Sequence, residues 1–214
     1  MTPTLSDDEV RRLRSAFRMP SVQTMVSRKS SITNAFVNSI IPVIEPTPEE
    51  IANALRILGM TPNDVRCAYC GDKASEWDHL RPLVVNRRPT GYISEIANLV
   101  PACGKCNQSK GNSHWLKWML STTATHSPGR RGIADLAQRV ERLKAYEASQ
   151  KVEPVPFEPI VGAALYAEYW ARMDKSVAYL RECHEFAATL RAKIAAAHGQ
   201  STRAARQRNA ATER

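Results

Sequence analysis

Four of the five cysteines in this 214-residue chain fall into two equally spaced pairs, Cys67-Ala-Tyr-Cys70 and Cys103-Gly-Lys-Cys106. A Cys-x-x-Cys loop is short enough to aim two thiolates at one ion, and two such loops complete a tetrahedral zinc site about 2.3 Å from each sulfur. Four sulfur ligands leave no open coordination position. The zinc expected here is therefore structural, and chemistry needs a different ion. A redox dithiol is the competing reading of either pair alone, but two pairs flanking one compact segment argue against it. The gap between the pairs exceeds the roughly 15–20 residues of a common zinc ribbon, so further structure is inserted between the knuckles.

That insert holds Glu76-Trp77-Asp78-His79-Leu80-Arg81-Pro82-Leu83 and later Ile96-Ala97-Asn98-Leu99, and the last cysteine leads into Asn107-Gln108-Ser109-Lys110-Gly111. The ordered set resembles the HNH nuclease family: Cys-x-x-Cys, Asp-His-x-x-Pro, Asn-Leu, then Cys-x-x-Cys-Asn-x-x-Lys-Gly. The resemblance covers about a quarter of the chain and implies an α+β fold, a small ββα-metal core with structural zinc between mainly helical arms. It implies a catalytic set of His79, Asp78, Asn98 and Asn107. His79 would be the general base, since an imidazole with a pKa near 6.5 can take a proton from water at neutral pH. Asp78 and Asn107 would hold a catalytic divalent cation, Mg²⁺ or Mn²⁺, through hard oxygens that leave positions for phosphate and water. Asn98 would support the loop that carries the histidine. Arg81 and Lys110 are expected DNA phosphate contacts, and the products should carry 5′-phosphate ends.

Consecutive strand residues face opposite ways, so a bend after Trp77 is expected to bring Asp78 and His79 to one site. Trp115 and Trp118 should share a helix face and pack behind it. Tyr69 reads as packing. His114 reads as a phosphate contact or a surface histidine rather than a further metal ligand. The lead Gly91-Tyr92-Ile93-Ser94-Glu95-Ile96 also resembles the HNH subgroup of small bacterial type II restriction endonucleases.

Three domains follow: a helical arm over 1–62, the nuclease domain over 63–122 and a helical region over 123–214. Ser6 with Glu9, and Thr47-Pro48 with Glu50, are capping patterns that open helices over about 7–18 and 48–58. One helix should run from about 103 to 120, a linker over 121–132 should follow, and another helix should span 133–150. After Pro154, Pro156 and Pro159 a long helix is expected over 160–197. Its heptad positions Tyr166, Met173, Leu180, Ala187 and Ile194, with Tyr169, Val177, Cys183 and Leu190 in between, form a packing seam. A homodimer through this helix and a helix folded back on its own domain both fit the seam. The tail beyond Ser201 is basic and poor in apolar residues, which predicts disorder.

A net charge of +9 suits a polyanionic partner, and double-stranded DNA is the partner expected. No apolar run is long enough to span a bilayer, and the first ten residues lack a secretory core, so the expected location is cytoplasmic with no membrane partner. The function expected is a metal-dependent endonuclease hydrolysing DNA phosphodiester bonds, a type II restriction enzyme in its sharpest form. A phage or mobile-element HNH nuclease and a non-catalytic zinc-containing DNA-binding protein are the alternatives.

Overall fold

The structure, a computed structural model, describes the backbone of residues 5–17 and 20–212 and side chains as far as residue 199. The described residues group into two compact units, one running from Ser30 to Ser176 and the other formed by the two ends of the chain.

The first unit contains the α+β core. Strand β1 (Glu76–His79) pairs antiparallel with β4 (Leu99–Ala102), placing Asp78 opposite Val100 and His79 opposite Leu99. Between them, β2 (Val84–Val85) and β3 (Arg88–Pro89) form a small hairpin. Its two turn residues, Asn86 and Arg87, both have positive φ, as a two-residue turn matched to the strand twist requires. Helix α4 (Gly104–Lys110) follows β4 directly and completes a ββα arrangement.

Helices from outside the motif close the core. α3 (Pro48–Ile57) carries the expected Thr47–Glu50 capping box, and α7 (Leu136–Gln150) buries Val140, Leu143 and Tyr146. Their apolar faces meet Tyr69, Leu80, Val100, Trp115, Trp118 and Met119 in one cluster. A second cluster joins Val37 and Ile41 at the end of α2 (Lys29–Asn38) to Leu83, Val84, Trp170 and Met173. There Arg88 lies 4.8 Å over the Trp170 ring, while Arg87 pairs with Asp174 at 2.8 Å.

In the unit formed by the ends, α1 (Asp7–Ala16) opens with the Ser6–Glu9 capping box and buries none of its residues. Helix α9 (Ala163–Thr212) begins in the first unit and supplies the rest of the second.

Four expectations about elements change. The single helix over 103–120 is two, α4 and α5 (Trp115–Met119), because Gly111 leaves the helical region at φ 47° and ψ −128°. The 121–132 linker contains α6 (Pro128–Arg131), capped by the buried hydroxyl of Ser127. Gly129 packs so closely on the end of α5 that a Cβ there would lie 2.9 Å from the Leu120 backbone. The helix expected from 160 starts as α8 (Phe157–Val161), breaks at Gly162 with φ 88°, and resumes as α9. The tail expected to be disordered is helical to Thr212. Its alanines, arginines and glutamines are strong helix formers, which can extend an existing helix without apolar burial.

Candidate active site

The sulfurs of Cys67, Cys70, Cys103 and Cys106 all lie within 4.8 Å of one another. The Cys70 and Cys103 sulfurs are 3.8 Å apart, which matches the edge of about 3.8 Å for a tetrahedron with 2.3 Å zinc–sulfur bonds. The donor set and its geometry fit one closed zinc ion. Hydrogen bonds among Cys67, Cys70 and Cys106 lower the Cys67 thiol and raise that of Cys106, so the group shares protons that a bound metal would displace. The first pair is braced by the Cys67 amide donating to the Asp72 carbonyl at 2.8 Å, and the second sits at the start of α4.

Asn107 follows Cys106 in α4, so the cysteine cluster sets where its carboxamide stands. Its Nδ2 donates to Glu76 Oε2 at 2.6 Å, and that bond orients the amide with Oδ1 as the free acceptor. Asp78, His79 and Asn107 line a single cavity of about 500 Å³. The bend expected after Trp77 falls later: β1 stays regular through His79, and the chain turns at Leu80 and Arg81. The two neighbours reach one cavity because the strand ends at the histidine.

Asp78 is buried, and its carboxylate is already engaged. Tyr69 donates its hydroxyl to Oδ2 at 2.7 Å, and the Lys110 ammonium lies 3.1–3.2 Å from the two oxygens. Burial pushes the Asp78 carboxyl above its ordinary range, opposed first by the Lys110 charge. Burial likewise lowers Lys110, opposed by Asp78. Lys110 also donates to the His79 carbonyl at 2.8 Å, tying α4 to β1. Its expected place on a DNA phosphate is not the one it occupies. At 1% exposure the ammonium is spent inside the site, because an unpaired charge there would be too costly.

His79 is half-buried, and its Nε2 lies 2.9 Å from Ser94 Oγ. Burial, and then the nearby Lys110 charge, bring its pKa down to about 4, so the imidazole is neutral at pH 7. Nδ1 has no hydrogen-bond partner among the described residues and is the nitrogen available for a proton.

Asn98 is fully buried and clamps the turn after His79. Its Oδ1 accepts the Arg81 amide at 2.9 Å, its Nδ2 donates to the Arg81 and Ile93 carbonyls at 3.2 and 3.3 Å, and its own carbonyl accepts the Leu80 amide at 2.8 Å. Tyr146 of α7 secures the other side of this turn by donating to the Ile96 and Leu99 carbonyls. The Arg81 side chain is engaged within the protein. It pairs with Glu147 at 3.4 Å and lies 5.6 Å from the Tyr92 ring, leaving a buried Nη1 without a partner.

Trp115 and Trp118 are buried as expected, donating from their indoles to Glu147 and Ser109. His114 is exposed and lies beside Trp115. Three contributors escaped the sequence reading: Tyr69 on Asp78, Glu76 on Asn107 and Ser94 on His79. Glu76 and Ser94 stood in the quoted motif and its lead without a role, and Tyr69, inside the first cysteine pair, was read as packing.

The fold and site together form a ββα core in which a four-cysteine cluster stands beside the cavity of Asp78, His79 and Asn107. Residues 67–113 match the HNH endonuclease family. The chain is also similar to the CRISPR-associated endonuclease Cas9 of Corynebacterium diphtheriae, with 27% identity over 161 residues. That match takes in 71% of this chain but spans only 14% of the relative's length. No solved structure matches. Among the described residues, no helix is long and apolar enough to cross a membrane.

Proposed function

We propose that this chain is a metal-dependent endonuclease that hydrolyses DNA phosphodiester bonds. The observation that carries the reading is the cavity shared by Asp78, His79 and Asn107, with the four-cysteine cluster fixing one of its walls. A carboxylate and an amide oxygen are a suitable donor set for Mg²⁺ or Mn²⁺. A divalent ion bound there would polarise the scissile phosphate and offset charge on the leaving oxygen.

His79 accepts a proton at Nδ1 from the attacking water, whose oxygen bonds to phosphorus as the bond from phosphorus to the 3′ oxygen breaks. The 3′ oxygen takes a proton from solvent, leaving 5′-phosphate and 3′-hydroxyl ends. Ser94 holds the imidazole at Nε2, and Asn98 keeps the turn beyond it in place. Lys110 keeps Asp78 partly neutralised, so an ion gains less attraction from this carboxylate than from a free one.

The finer reading is cutting of duplex DNA at a specific sequence, as by a type II restriction enzyme. The Gly91–Ile96 lead supports it. The likeness to a CRISPR-associated endonuclease extends well beyond residues 67–113. It favours a second reading, a nuclease serving a mobile element or a defence system other than restriction. Incubating the zinc-loaded protein with genomic DNA in Mg²⁺ or Mn²⁺ and sequencing the ends separates the two. Ends sharing a longer flanking sequence support restriction, and ends with at most a short local preference support the second reading. Intact DNA in both ions overturns the nuclease reading.

A further inference from the structure

The cavity has a wall that the nuclease motif does not supply. Helix α2 lines it with Asn34 and Asn38, two exposed residues one helical turn apart. Neither carboxamide has a hydrogen-bond partner among the described residues, whereas Asp78, His79 and Asn107 are each hydrogen-bonded within the protein. The helix is held in place. Val37 and Ile41 anchor it in the second apolar cluster, which fixes the rotation that turns the two asparagines inward. Beyond the helix, Ile44 donates to the Ser94 carbonyl at 2.9 Å and Ser94 donates to the Pro42 carbonyl at 3.2 Å. Ser94 is the residue that touches His79, so two backbone hydrogen bonds tie this segment to the catalytic centre.

The chemistry of the wall is uncharged. Among the described residues lining the cavity none is lysine or arginine, and Asn34, Asn38, Gln108 and Asn112 are all carboxamides. The chain has a net charge of +9, yet its excess of cations is placed elsewhere. A neutral carboxamide offers a donor and an acceptor side by side, which matches a base edge, most closely the N6 and N7 of adenine. A cavity of this size also falls in the range that holds a nucleotide-sized group.

We propose that Asn34 and Asn38 are specificity-determining residues, which hydrogen-bond to a base beside the scissile phosphate, adenine for preference. The inference rests on the nuclease reading. It makes α2 part of the substrate cleft, although it lies outside the segment that matches the nuclease family.

The test uses the full zinc-loaded chain on a random-sequence DNA library in Mn²⁺, with ends sequenced and binding measured across salt concentrations. Wild-type ends should be enriched in adenine within two positions of the cut. Asn34→Ala and Asn38→Ala should flatten that enrichment and slow cutting of the preferred sequence about tenfold, the size expected for a lost base contact. The slope of log affinity against log salt should stay unchanged, because neutral contacts release no counterions. Asn38→Asp should move the preference from adenine towards cytosine, whose N4 an acceptor can bind. Both alanine substitutions lie on exposed positions of a helix and favour helix formation, so folding is preserved. If the wild type cuts and the alanine variants keep the same base preference, the inference falls while the nuclease reading stands. If the wild type leaves DNA uncut, both fall.

Discussion

Lys110 is the residue whose role changes most between sequence and structure. Within a Lys-Gly motif beside a nuclease site it reads as a phosphate contact, whereas the fold buries it against Asp78 and the His79 carbonyl. Replacing it by methionine leaves a buried carboxylate without its counter-charge, so Lys110→Met should destabilise the fold by about 3–5 kcal/mol. Chemical denaturation checks this, and a loss below about 1 kcal/mol would mean that the pair is held no better than a surface salt bridge. The resemblance implies that Asn98 supports the histidine loop, and its four hydrogen bonds on Leu80, Arg81 and Ile93 are what this proposed role draws on. Asn98→Ala should therefore slow cutting by about 10–100-fold, as loss of a supporting hydrogen-bond shell does elsewhere. DNA affinity should be nearly unchanged, since the side chain is wholly internal. Single-turnover cleavage beside equilibrium binding distinguishes the two. Tyr69, Glu76 and Ser94 were not legible as contributors because each acts across a tertiary contact, and no local spacing encodes which acceptor a buried hydroxyl will meet.

At the scale of elements, the four-cysteine cluster takes the place of a larger sheet. Two four-residue strands are too short to hold Asp78 and Asn107 in register by themselves. The cysteine cluster joins the segment before β1 to the start of α4 and supplies that constraint. Cys106→Ser should lower zinc content and the thermal midpoint together, because binding energy at a structural zinc site is folding energy. Unchanged melting with reduced zinc would separate the cluster from the fold. Helix starts were readable at the capping boxes of Ser6 and Thr47, whereas the start capped by Ser127 was read as linker. Breaks were harder. The turns at Gly111 and Gly162 interrupt stretches whose apolar periodicity continues past them, and periodicity reports which face is buried without reporting where the backbone leaves the helix.

For the whole molecule, the ββα core proved to be a minor part of a mainly helical chain, and α7 and α3 finish its packing. The heptad seam of α9 is buried at Met173 and Val177 but exposed at Leu190 and Ile194. The homodimer reading of that seam therefore rests on its C-terminal half. Light scattering should give twice the chain mass for wild type and one chain mass for a Leu190→Glu, Ile194→Glu variant. A wild-type monomer at micromolar concentration would remove that reading and leave catalysis untouched. The positive charge of the chain adds a further signature, affinity for any DNA that falls steeply with salt.

The proposed chemistry depends most on His79, whose free Nδ1 and neutral imidazole qualify it as the base. The decisive measurement is the rate of plasmid cleavage by zinc-loaded His79→Ala beside wild type in Mg²⁺ and Mn²⁺, with DNA binding and thermal midpoint recorded on the same samples. The substitution should slow cleavage by about 10²–10⁴-fold, the usual contribution of a general base, with binding and melting essentially unchanged. Cleavage by His79→Ala at the wild-type rate would contradict the assignment.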